Sequence, residues 1–179
     1  MVYVFLADGF EEIEALTPID MLRRADIAVT SVSINKTEAV TGAHGIRVFA
    51  DQTIDNTPIE NIDMVVLPGG LPGADNLRKN EKVQSFIDKA YEEKKYICAI
   101  CAAPRILGEK GILSEKKATC YPGFEKYLTD AKVIPSGCVT DGNIINAMGM
   151  GNSIDFSLAL ITALKDEGTA EKIKKAIFA

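Results

Sequence analysis

Short apolar runs alternate with helix-length segments along the whole chain, and this alternation is what most limits its fold. Val2–Leu6, Ile27–Ile34, Met64–Leu67 and Tyr96–Ile100 read as strands, with further short ones near Ala118–Cys120, Lys132–Ile134 and Asn143–Ala147. Between them, Glu11–Ala25 places Ile13, Leu16, Ile19 and Leu22 at helical spacing, and Glu81–Glu93 does the same with Val83, Phe86, Ile87 and Ala90. Ser153–Leu164 is a strongly apolar helix and Glu171–Phe178 a final short one. Strands this short and apolar belong in a mostly parallel sheet covered on both faces. The pattern predicts an α/β fold, a three-layer sandwich whose mostly parallel central sheet carries helices on both faces. No repeat, linker or low-complexity stretch interrupts it, so residues 1–179 are expected to form a single domain.

Three local features carry separate expectations. Pro18 lies inside the first helix and should kink or break it. In Ile27–Ile34 the alternation of apolar and polar residues shifts phase between Val29 and Val32. Gly42-Ala43-His44-Gly45 reads as a turn before Ile46–Ala50, forming a hairpin-like excursion.

Composition narrows the functional classes. A net charge of −5 offers no electrostatic grip on nucleic acid or an anionic membrane surface. The longest apolar runs are far too short to span a bilayer, and the chain opens on strand-like residues without a basic leader. The expected setting is the cytoplasm, where the four cysteines stay reduced.

Ligands of open parallel sheets bind at the carboxyl ends of the strands. Here those ends lead into Asp8-Gly9-Phe10, Pro68-Gly69-Gly70 and Ile100-Cys101-Ala102. Cys101 stands where an apolar strand passes straight into a helix opened by Ala102-Ala103-Pro104. That position brings its sulfur to helix N-terminal N–H groups and the positive end of the helix dipole, which favours a thiolate. The Ala102 N–H, with Gly70 as second donor, is a candidate oxyanion hole. The competing reading is a buried core cysteine.

Cys98 and Cys101 have Cys-x-x-Cys spacing, but Cys98 belongs to the strand. Three extended residues put the two about 10 Å apart, beyond the roughly 7 Å a disulfide tolerates between Cα atoms. Zinc held by Cys98, Cys101, Cys120 and Cys138 is disfavoured because only one close pair exists. His44 is the single histidine, exposed in its turn, so no two-histidine metal site is available. Of the acids after the first strand, Glu11, Glu12 and Glu14, only Glu14 falls one helical turn in, within reach of the Cys101 turn. A protonated Glu14 would donate to the thiolate and act as general acid and base.

With these pieces placed, the chain resembles the ThiJ/PfpI superfamily, in particular the branch of the parkinsonism-associated deglycase. The motifs that carry the resemblance are Gly9-Phe10-Glu11-Glu12-Ile13-Glu14, Leu67-Pro68-Gly69-Gly70 and Ala99-Ile100-Cys101-Ala102-Ala103-Pro104. It extends through Leu22-Arg23-Arg24-Ala25, the Gly42–Val48 turn and the Gly149–Leu160 segment, and so covers nearly the whole chain. It implies a flavodoxin-like sandwich, a homodimer, and a nucleophilic Cys101 assisted by a protonated Glu14, with no cofactor and no metal. It also implies ready oxidation of Cys101 to the sulfinate, and His44 and Arg24 at the pocket rim or dimer interface. Relatives of the proteolytic branch carry histidine directly after the cysteine; Ala102 stands there instead, which disfavours proteolysis. Some nearer relatives carry histidine where Tyr121 stands, and Gly149-Met150-Gly151-Asn152 replaces a common Gly-Pro-Gly-Thr.

Two functions fit these residues. One is a cofactor-free glyoxalase or deglycase acting on small reactive aldehydes such as methylglyoxal, in defence against carbonyl and oxidative stress. The other is a redox-sensing stress-response or chaperone-like binding protein in which oxidation of Cys101 is the signal.

Overall fold

The structure, a computed structural model, describes all residues 1–179. Strand β1 (Val2–Leu6) leads into helix α1 (Glu12–Arg24), β2 (Val29–Ser33), the hairpin β3 (Ala39–Thr41) and β4 (Arg47–Phe49), and β5 (Gln52–Thr53). There follow β6 (Met64–Leu67), α2 (Gly73–Lys79), α3 (Glu81–Glu92), β7 (Tyr96–Ile100), α4 (Pro104–Glu109) and β8 (Lys117–Ala118). The chain ends with β9 (Lys132–Val133), β10 (Cys138–Asp141), β11 (Ile144–Ala147), α5 (Ser153–Leu164) and α6 (Glu167–Ala176). The main sheet has seven strands in the order β10-β11-β7-β6-β1-β2-β5, all parallel except the edge strand β10. Setting aside both edges, β2-β1-β6-β7-β11 is the flavodoxin-like order, which reverses direction at β1 and β6. No helix is long and apolar enough to cross a membrane.

The pleat sends alternate residues of each central strand into two separate cores. Val2, Val4 and Leu6 of β1 pack with Cys98 and Ile100 of β7 under α1, α5 and α6. Tyr3 and Phe5 face the other way, with Val65, Leu67, Ile97 and Ala99, under α3 and α4. Fully apolar strands are the consequence, as the sequence pattern requires. The phase shift in β2 disappears in three dimensions: Val29 packs against the first core and Val32 belongs to the second, so odd and even residues alternate without interruption.

Several expectations need correction. α1 runs unbroken through Pro18, which is buried, so the proline does not break the helix. Helix α2 was not expected. It is short and polar, with Ala74 and Leu77 its buried apolar side chains. Strand β10 was also missed; it is a half-exposed antiparallel edge whose alternation is blurred. β8 and β9 pair only with each other, outside the main sheet. α6 begins at Glu167, before the expected Glu171, because Asp166 caps it by accepting the Thr169 N–H at 2.7 Å.

Candidate active site

The carboxyl ends of β1, β6 and β7 open onto one small area beside the point where the strand order reverses. Cys101 follows β7 with φ of +65°, a left-handed conformation unfavourable for a residue with a Cβ. It is held there from both sides: its N–H donates to the Ala147 carbonyl at 2.9 Å, and its carbonyl accepts the Tyr121 N–H at 2.8 Å. Strand, strained cysteine and helix beginning at Pro104 make an elbow that turns the sulfur away from the sheet. The side chain is half-buried.

Glu14 reaches this elbow from the first turn of α1 and is 1% exposed. Its Oε2 accepts the Gly69 N–H at 2.9 Å, and its carboxyl is hydrogen-bonded to the Cys101 thiol. Gly69 makes the approach possible: a Cβ there would stand 2.5 Å from Glu14 Oε2 and 2.6 Å from Cys101 Cβ. The next residue, Gly70, has φ of +85°, which aims its N–H at the sulfur; the Ala102 N–H comes from the other side. Gly70 and Ala102 are the donors expected for an oxyanion hole. In the resting protein their partner is the sulfur itself.

Burial pushes the Glu14 carboxyl up to about 7, with the hydrogen bonds from Cys101 and Gly69 acting against it. Burial likewise pushes the Cys101 thiol up to about 12, followed by the charge of Glu14 and its hydrogen bond, while the Gly70 and Ala102 N–H groups pull it down. Burial comes first in both shifts, and for Cys101 the neighbouring carboxyl adds to it, since two buried groups in contact do not both carry negative charge. The pair loses one proton near neutrality and the second only far above it, and these steps belong to the pair. With the shared proton on Glu14, the sulfur has three donors at hand, the carboxyl and the Gly70 and Ala102 N–H groups. That arrangement favours placing the single charge on sulfur. The expected dipole effect is corrected here: α4 covers only Pro104–Glu109 and starts after Ala103, so the N–H groups beside the sulfur are those of Gly70 and Ala102 rather than those of a helix's first turn.

Of the remaining expected residues, His44 lies close and Arg24 does not. His44 Nδ1 is 2.8 Å from Glu12 Oε2 and 3.4 Å from Glu11 Oε2, and the His44 backbone N–H donates to Glu12 Oε1 at 2.8 Å. Its side chain is 68% exposed. With both Glu12 oxygens taken by His44, this cluster is a closed ion pair rather than an open set of ligands. Arg24 sits in the last turn of α1, about 15 Å along the axis from Glu14, and its exposed guanidinium is paired with Asp20 at 2.6 Å. Within one chain it does not reach the rim. Gly69 is a site residue to which the sequence alone assigns no role; its signal is the Pro68-Gly69-Gly70 run, a strand end and family motif in which only Gly70 stands out as a donor.

The largest cavity, of about 490 Å³, lies at the opposite, amino ends of the strands, among Met1, Ile27, Lys94 and Lys165, and shares nothing with Cys101. Burial also raises the other thiols, Cys120 and Cys138 up to about 11 and Cys98 well above its usual range. None of these has a carboxyl able to take its proton and hydrogen-bond the resulting thiolate. Limited iodoacetamide at neutral pH, read by peptide mapping, is therefore expected to label Cys101 first. Earlier labelling of Cys120 or Cys138 would contradict the paired-proton account.

The DJ-1/PfpI family profile matches residues 1–163. A Parkinson disease protein 7 homolog of Danio rerio is 33% identical over 96% of this chain and 93% of its own. A deglycase of Pyrococcus horikoshii is 35% identical over 79% of this chain and 85% of its own. DJ-1 homolog B of Arabidopsis thaliana is 35% identical over 98% of this chain, which spans only 40% of that protein's length. Among solved structures, oxidized Toxoplasma gondii DJ-1 superimposes with a TM-score of 0.95 at 33% identity, covering 99% of this chain and 97% of its own. From the profile match and the near full-length relatives, the chain belongs to the DJ-1/PfpI family.

Proposed function

We propose that the protein is a cofactor-free enzyme of glyoxalase or deglycase type, acting on small reactive aldehydes such as methylglyoxal. The observation that carries this reading is the Cys101–Glu14 pair, a nucleophile in contact with a buried acid whose carboxyl is raised to about 7. An acid–base group works best when its pKa lies near the working pH. Cys101 sulfur attacks the aldehyde carbon and the carbonyl π pair moves to oxygen, which takes a proton from Glu14. The Gly70 and Ala102 N–H groups, released as the sulfur loses its charge, are the donors available to that oxygen while negative charge develops on it and before the proton arrives. The Glu14 carboxylate then removes the proton from the former aldehyde carbon, giving an enediolate, and returns it to the neighbouring carbon while the hydroxyl proton of the first carbon passes to the oxygen of the second, leaving a thioester. The first carbon is oxidised and the second reduced, with no external electron carrier. Water hydrolyses the resulting thioester to lactate and frees the thiol.

A deglycase among relatives of 35% identity supports this substrate class. Exposed Ile13 and Leu16 on α1, Met150 in the turn before α5 and Ile154 at the start of α5 support a homodimer as the working form. The redox-signalling reading has its own support in the structural likeness to an oxidized DJ-1. There, Cys101 takes up oxygen from a peroxide and turnover is incidental.

The deciding experiment supplies purified protein with methylglyoxal alone, without thiol or metal, and measures lactate. Steady formation over many turnovers is expected. A single stoichiometric adduct on Cys101 with no lactate would remove the enzymatic reading.

A further inference from the structure

The Gly42–Gly45 turn does more than close a hairpin. It is fastened onto the segment leading from β1 into α1: Gly9 N–H donates to Thr41 O at 2.8 Å, Ala43 N–H to Phe10 O at 2.8 Å, and Thr41 N–H to Asp8 Oδ1 at 2.8 Å. His44 completes the attachment through both of its N–H contacts to Glu12 and its approach to Glu11. The path continues inward. Glu11 N–H donates to Gly69 O at 3.0 Å, and Gly69 N–H donates to Glu14 Oε2 at 2.9 Å. Gly69 therefore carries the turn's attachment on its carbonyl and the catalytic acid on its amide.

We propose that His44 is a positioning residue for the Cys101–Glu14 pair: its imidazolium, clamped on Glu11 and Glu12, sets the local charge beside the pair and links the thiol's reactivity to its own protonation. The inference rests on the proposed reading of the pair as one acid–base unit, but not on any particular substrate. The charged groups facing the imidazole are Glu12 and Glu11, and those facing Glu14 are Cys101 and Glu11. His44 is raised above its ordinary value, first by the Glu12 hydrogen bond and then by the charges of Glu11 and Glu12. In the protonated state it offsets those two carboxylates. Once it deprotonates, the Glu11 charge acts on Glu14 without compensation and the pair holds its proton more tightly.

Coupling between two titrating sites is reciprocal, and this gives a test that leaves His44 untouched. His44 is the only histidine, so its imidazole resonance can be followed by NMR without assignment ambiguity. In the wild type the pair carries one negative charge near neutrality; in the double variant Cys101→Ser, Glu14→Gln it carries none. The His44 midpoint is expected to fall by about half a pH unit in the double variant, the effect of one screened charge several ångströms away. The matching measurement is the pH dependence of Cys101 alkylation in His44→Arg and His44→Gln. The arginine, always charged, should shift the profile to lower pH and the glutamine to higher pH, about threefold apart in rate on the acid side. An unchanged His44 midpoint, or superposed Arg and Gln profiles, overturns the proposal. Absence of methylglyoxal turnover would leave it standing, since neither measurement uses an aldehyde.

Discussion

Cys101→Ser is expected to lower methylglyoxal turnover by about a thousandfold or more, because a hydroxyl at this elbow is not ionised near neutral pH. The backbone N–H groups of Gly70 and Ala102 and the Glu14 carboxyl all remain, so the loss isolates the nucleophile. Glu14→Gln is the companion. It keeps a donor of similar shape to the sulfur but removes the transferable proton, and turnover should fall by about a hundredfold or more. Alkylation of Cys101 should stay near the wild-type rate. Glu14→Leu removes donor and proton together. One charge-assisted hydrogen bond is worth about 1.5–3 kcal/mol, so the thiol should ionise about one pH unit higher and alkylate about tenfold more slowly at neutral pH. Identical alkylation profiles in the three proteins would mean that Glu14 does not control the sulfur.

Stability should move the opposite way from activity. Between its ordinary value and about 7, folded Glu14 holds a proton that the unfolded chain releases. Protons bound by the native state in excess make stability fall as pH rises through that window. Glu14→Gln has no such titration, so its melting temperature should exceed that of the wild type at neutral pH, and the gap should close at acid pH.

The sequence exposed the parts of this site that are local and hid the parts that are not. Tyr96–Ile100 is apolar throughout because β7 is covered on both faces, and Cys101 is visible as the residue where that run stops against Ala-Ala-Pro. Glu14 was found by counting one helical turn from the end of β1. A strand-to-helix junction suggests a helix dipole, but α4 starts too late to supply it, and the groups beside the sulfur are the Ala102 amide, a carboxyl from α1 and the Gly70 amide from the loop after β6. The motifs make these groups legible one by one, whereas the contacts among them join residues distant in sequence and exist only once the sheet has formed. For Arg24, likeness to relatives implies the pocket rim or the dimer interface, and its place in the last turn of α1, away from Glu14 along the helix axis, leaves the interface as the reading compatible with one chain. His44 was read as an exposed turn residue. It is exposed, yet its two anchoring carboxylates come from the helix start that also presents Glu14.

Gly69 is where the fold of the site can be broken with one carbon atom. Its backbone is not in the left-handed region, so alanine is acceptable there in conformation and only space is at issue. The new methyl would stand 2.5 Å from Glu14 Oε2, 2.6 Å from Cys101 Cβ and 3.0 Å from the Ile100 carbonyl oxygen. Two of these neighbours cannot yield freely: Cys101 Cβ belongs to an elbow pinned by Ala147 and Tyr121, and the carbonyl belongs to β7. Glu14 is the flexible one, so the carboxyl is expected to swing off, losing both the Gly69 amide and the sulfur. Crowding of this kind costs about 1–3 kcal/mol, which should lower the melting temperature by several degrees. The functional loss should be larger, with turnover down about a hundredfold and neutral alkylation slowed about tenfold, as in Glu14→Leu. Gly151→Ala serves as the control, because nothing lies within 4 Å of a Cβ there. If Gly69→Ala kept the wild-type alkylation profile, the acid and the thiol would not depend on the bare backbone between them, and the pair would be held by other means.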